Sequence, residues 1–105
     1  MLDKEKVRET AIKYSNEVRK IFNLTKIILF GSYVNGNPHE WSDIDVAVII
    51  NGFNGDWLEA SSDLFGLAWN FEEIIEPQLM DETYDPSGFV EHVLKTGEII
   101  YQSAQ

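Results

Sequence analysis

Two aspartates, Asp43 and Asp45, open an otherwise apolar run that continues Val46-Ala47-Val48-Ile49-Ile50. On an extended strand, residues i and i+2 leave the same face, their Cα atoms roughly 6–7 Å apart. Two carboxylates held so close repel unless one takes a proton or a cation lies between them. Hard divalent ions such as Mg²⁺ suit that position, because they take oxygen ligands and keep waters and substrate phosphates in their shell. Two such ions about 3.5–4 Å apart can clamp the attacking and leaving oxygens of a phosphoryl displacement. Upstream stands Gly31-Ser32, separated from Asp43 by ten residues. Gly31 lets backbone approach a phosphate closely, and Ser32 offers a hydroxyl and an amide to its oxygens.

Chemistry of this kind needs elements that hold the residues in place. From Asp3 as N-cap, Val7, Ala11, Tyr14, Val18, Ile21 and Phe22 recur at helical spacing, with basic residues on the opposite face. Lys26 to Phe30 reads as a short buried strand ending at Gly31, and Asn35-Gly36-Asn37-Pro38 as a loop. In a second strand, Ser42 to Ile50, alternation sends Ile44, Val46, Val48 and Ile50 one way and Asp43, Asp45, Ala47 and Ile49 the other. Asp56 and Glu59 form a capping pair for a helix whose Trp57, Leu58, Leu64, Phe65 and Ala68 read as one apolar stripe.

Glu73 to Met80 is a third strand, with Pro77 placing it near an edge or bulge. A last helix is marked by Asp85 as N-cap, Pro86 at its first position, Phe89, Val90, Val93 and Leu94 as its stripe, and Gly97 as its stop. Lys95 complements its dipole, and Glu98 to Tyr101 adds a short strand. The expected fold is α/β (α+β), one domain over residues 1–105, with a mixed sheet of about four strands packed against about three helices. Trp57, Phe65, Phe89 and Val93 are expected in its core.

Composition narrows the function. The 105 residues contain no cysteine, which excludes disulfides, thiolate metal sites and a cysteine nucleophile. No segment reads as a signal peptide or membrane span, so a cytoplasmic protein without membrane contact is expected. A net charge of −10 disfavours nucleic acid as a partner. Seven of the eight bases lie within the first 26 positions, leaving Lys95 alone against fourteen acids in the remainder. Trp41 reads as packing its loop, and His39 and His92 as solvent-facing, since they lack a metal-ligand spacing.

Gly31-Ser32, the ten-residue gap and Asp43-Ile44-Asp45, with strands and helices in this order and Gly97-Glu98-Ile99-Ile100-Tyr101 near the end, resemble the minimal nucleotidyltransferases. These are small relatives of the DNA polymerase β nucleotidyltransferase superfamily, and the resemblance covers nearly the whole chain. It implies Mg²⁺-dependent transfer of a nucleoside monophosphate, AMP from ATP or the equivalent from another nucleoside triphosphate, to an acceptor hydroxyl. Asp43 and Asp45 would bind two Mg²⁺ ions, and Gly31, Ser32 and Ser42 the nucleotide. The third acid falls on Glu76, a charge between apolar residues in the third strand, ahead of Glu72 and Glu73. The family usually has Asp there.

The resemblance also implies a partner protein. Minimal nucleotidyltransferases commonly pair with helical proteins of the higher-eukaryote-and-prokaryote nucleotide-binding group (HEPN), as antitoxin to a ribonuclease toxin, and some add AMP to that partner. A tyrosine on a basic partner fits the acidic field of this chain. Homo-oligomers stay open. Many relatives place arginine in the loop after Gly-Ser, whereas Tyr33-Val34-Asn35-Gly36-Asn37 has no base. Triphosphate charge must then be met by metal, backbone amides, the basic first helix or a partner. Weak nucleotide affinity follows, and the alternative function is a catalytically weak or inactive binding module that neutralises its partner by contact.

Overall fold

A computed structural model describes residues 3–31, 34 and 43–103 of the chain. Helix α1 (Lys4–Val18) starts where the Asp3 carboxylate accepts the Lys6 N–H at 2.8 Å. Strand β1 (Lys26–Phe30) follows, then β2 (Ile44–Ile50), α2 (Trp57–Ala68), β3 (Ile75–Asp81), α3 (Phe89–Thr96) and β4 (Glu98–Gln102). The four strands form one mixed sheet in the order β3-β2-β1-β4. β1 runs antiparallel to β2 and β4, while β2 and β3 are parallel and joined through α2. Pro77 thus sits on an edge strand, where its missing N–H interrupts no second ladder.

Alternation along the strands sorts the sheet into two faces. Ile27 and Leu29 of β1 and Ile44, Val46 and Val48 of β2 are fully buried against Val7, Ala11 and Val18 of α1 and Leu64 of α2. Tyr14 ties these helices together: its buried hydroxyl donates to the Leu64 carbonyl at 2.7 Å, and burial raises the phenol's pKa. The opposite face buries Ile28, Ala47, Ile49 and Met80 beneath Val90 and Val93 of α3. With only eight residues, α3 covers part of that face.

Several boundaries differ from the sequence reading. α1 ends at Val18, not Phe22, because the chain turns toward β1 there and leaves Ile21 exposed. The apolar residues of α2 divide: Ala60, Leu64 and Ala68 face inward, whereas Trp57, Leu58 and Phe65 are exposed. Phe89 is exposed as well, so of the four expected core residues only Val93 is buried.

α3 begins at Phe89, preceded by Gly88 at φ 78°. Asp85 caps it from further upstream, its carboxylate accepting the Val90 and Glu91 N–H groups at 3.0 Å each, and Pro86 lies in the preceding turn. Gly97 does end the helix, donating to the Val93 carbonyl at 2.8 Å. A Cβ at Gly97 would overlap Ile28 Cγ2 and lie 3.0 Å from the Leu29 carbonyl oxygen, so glycine lets the chain pass close over β1. Asp81 closes β3 by accepting N–H groups from Gly52 at 3.0 Å and Phe53 at 3.1 Å, which fixes the turn after β2. The Thr83 hydroxyl and these amides hold its carboxyl below the ordinary range.

Candidate active site

Strand register assembles the site. The last residue of β1, Phe30, pairs with Asp45 on β2, and Asp45 pairs with Glu76 on β3. In a parallel pair such partners project from the same face. Asp45 and Glu76 therefore meet on the α3 side, where the short helix leaves the sheet uncovered. Asp43 precedes β2 and joins them: Glu76 hydrogen-bonds to Asp43, and both Asp43 and Glu76 press their charge on Asp45.

Gly31, directly after the end of β1, completes the arrangement. Its φ of 85° is a conformation that L side chains rarely adopt. A Cβ there would also overlap Asp45 Oδ2 and stand 3.0 Å from Asp45 Cγ. Position 31 requires glycine on both counts, and the backbone turn lies directly against a carboxylate. Ser32 and Ser42, the other two positions assigned to nucleotide, lie outside the described residues, as do His39, Trp41 and most of the intervening loop.

The charges follow from this crowding. Burial first, then Glu76 and Asp43, push the Asp45 carboxyl up to about 6. Glu76 is raised by its hydrogen bond to Asp43, then by burial and by the Asp43 charge. Among the described residues no group of three or more His, Asp or Glu side chains is disposed to hold a metal ion. Asp45 instead stands under the charge of both Glu76 and Asp43. An all-oxygen donor set of this kind suits a hard divalent ion.

Other acids have other occupations. Glu73, expected to open β3, instead takes the Thr10 hydroxyl at 3.2 Å and the Lys6 ammonium at 3.7 Å, which keeps it on α1. Glu72 is exposed in the connection before β3. The basic first helix, one of the offered sources of charge for a triphosphate, packs on the opposite sheet face from Asp45, with Lys6 reaching round to Glu73. His92 is exposed and stacks on Phe89 at 6.4 Å between ring centroids.

The sequence reading overlooked a cleft of about 480 Å³ beside the acids, lined by Asp43 and Glu76 at one end and by Phe65, Trp69 and Ile74 along its side. The signal was present: Leu58, Phe65 and Trp69 recur at i, i+7 and i+11 on α2, a second stripe distinct from its inward one.

A family model for polymerase β nucleotidyltransferases matches residues 5–105. The chain belongs to this family. Solved structures similar to this nucleotidyltransferase domain include a nucleotidyltransferase candidate from Sulfolobus solfataricus, 18% identical, with a TM-score of 0.65 over 100% of this chain and 92% of that one. That likeness concerns the fold. A toxin–antitoxin crystallised with AMP-PNP is 27% identical at a TM-score of 0.65, over 90% of this chain and 75% of that one. A mutant MntA–HpeT toxin–antitoxin is also 27% identical, at a TM-score of 0.62 over 99% of this chain and 77% of that one. No curated protein matches the chain. Among the described residues, no helix is long and apolar enough to cross a membrane.

Proposed function

We propose that this nucleotidyltransferase transfers a nucleoside monophosphate, AMP from ATP, to a hydroxyl on a partner polypeptide. The observation that carries the reading is the register Phe30–Asp45–Glu76, which sets the Gly31 turn, Asp45 and Glu76 side by side across three strands. The toxin–antitoxin neighbours, one crystallised with AMP-PNP, support a nucleotide substrate and a protein partner; the family resemblance puts that partner in the HEPN group.

Asp43, Asp45 and Glu76 would hold Mg²⁺, and the crowded carboxylates and the glycine cradle fit that role. Bound Mg²⁺ neutralises triphosphate charge and stabilises the leaving pyrophosphate. Gly31 brings a backbone amide turn against the phosphates, with Ser32 and Ser42 as further donors. The acceptor oxygen attacks the α-phosphorus, forming a new P–O ester. The bond to the bridging oxygen breaks, and pyrophosphate departs with the electron pair. A Glu76 carboxylate oxygen takes the acceptor's proton. Most of the rate enhancement is positioning and charge neutralisation.

The test is intact-mass analysis of chain and co-purified partner after incubation with ATP and Mg²⁺. Addition of one AMP to the partner, lost in Asp43→Asn and Asp45→Asn, is the expected result; unchanged masses refute transfer. One observation favours a second reading: α1, which carries most of the bases, packs on the sheet face opposite Asp45. A tight complex whose masses never change would identify a module that acts by contact alone.

A further inference from the structure

α2 presents its second apolar stripe to solvent. Leu58 is 80% exposed, Phe65 45% and Trp69 85%, and Ile74, at the start of the next segment, is 66% exposed. These are large side chains, including the aromatic types that anchor protein interfaces, and no other described element covers them. Phe65, Trp69 and Ile74 share a cleft with Asp43 and Glu76, so this end of the stripe adjoins the acids, while Leu58 lies outside it. Glu59 and Asp63, four apart on the same helix, and Glu72 border it with negative charge.

We infer that this α2–β3 face docks the partner polypeptide through an amphipathic segment with apolar anchors and a lysine- or arginine-rich rim. Apolar side chains of the segment pack on Leu58, Phe65 and Trp69. Its cations face Glu59, Asp63 and Glu72, and an anchored hydroxyl is delivered along the cleft to the acids. A second copy of this chain is the wrong occupant, because it would set one acidic rim against another in molecules of net charge −10. The inference rests on the proposed function only for the existence of a polypeptide acceptor. Its test omits nucleotide, so that failure of transfer and failure of docking are read separately.

The probe is a synthetic amphipathic helical peptide of leucine and lysine carrying one tyrosine, with a glutamate-for-lysine version as control. Titration into the full chain, followed by calorimetry and by amide NMR shifts, should show micromolar binding of the lysine peptide, with shifts concentrated on α2 and residues 69–76. Trp69→Ser and the double change Glu59→Lys with Asp63→Lys should each weaken it about tenfold or more. Ile99→Ser, on the exposed edge of β4, should leave it unchanged. Equal binding of both peptides, equal affinity in all variants, or no binding overturns the inference. So does sedimentation showing a dimer of the chain that Trp69→Ser dissociates. Docking retained without any AMP transfer would refute the enzymatic reading and leave this surface standing.

Discussion

The two faces of the sheet are built from the same strands and do opposite things. Toward α1 and α2, successive inward residues of β1 and β2 are aliphatic and fully buried, and the buried Tyr14 hydroxyl has its acceptor. Toward α3, the apolar row Ile49, Ala47 gives way after one further step to Asp45, beside Glu76. A single residue of alternation therefore separates the side that holds the fold together from the side that burdens it with charge. That burden has a use only when something positive arrives, and it is tolerable because the opposite face supplies the stability.

Substitutions should separate the two faces. Asp45→Asn should lower AMP transfer by about 10²–10³-fold or more, as expected when charge stabilisation of a transition state is removed. The same change should raise the thermal midpoint of the metal-free chain at neutral pH, because a strained carboxylate is gone. Parallel kinetics and calorimetry check both signs; a variant that lost activity and stability together would erase the contrast. On the other face, Leu64→Ala should cost about 2–5 kcal/mol by cavity formation. Denaturant titration measures it, and the Asp45 carboxyl, followed by ¹³C NMR, should titrate as before.

Gly31→Ala tests the seam between the faces and should cost about 1–3 kcal/mol from its left-handed backbone, beyond which the overlap with Asp45 must displace that carboxylate. Loss of Mg²⁺-dependent nucleotide binding should accompany it. The smallest effect is the pH response. Asp45 has a folded pKa of about 6 against 3.8 for the free group, so the folded chain holds the extra proton between these values. Metal-free stability is therefore greatest at the acid end of that window and declines as pH rises through 6. Saturating Mg²⁺ should flatten or invert the slope, which melting scans from pH 4.5 to 8 would show on the order of a few degrees.

The order of elements was legible because each carried its own signal: heptad-like spacing for α1, alternation for β2, and proline and glycine as punctuation around α3. The pair Asp43 and Asp45 was legible for the same reason, being local. What alternation could not give was a partner across strands. Glu76 was chosen over Glu73 by position within a strand, and only the register shows Glu76 opposite Asp45 while Glu73 is taken by Lys6 and Thr10. The apolar residues of α2 were merged into one stripe because hydrophobicity alone does not say which side meets the sheet. Likewise the bases of α1 looked available to phosphate until the layering put that helix on the sheet face opposite Asp45. Asp85 was found as a cap but assigned to the wrong turn, since its carboxylate reaches past Gly88 to amides five and six residues on.

The position of β1 bears on how the chain comes off the ribosome. β1 is made early and sits between β2 and β4, yet β4 is formed by Glu98–Gln102, and Arg8 closes on Glu98 across ninety positions at 2.6 Å. Until those residues emerge, a nascent chain carries the apolar strand Ile27-Ile28-Leu29 with one side unpaired. Contacts so distant in sequence form late and slowly. Synthesis stalled or truncated before Glu98 should therefore yield a species prone to self-association.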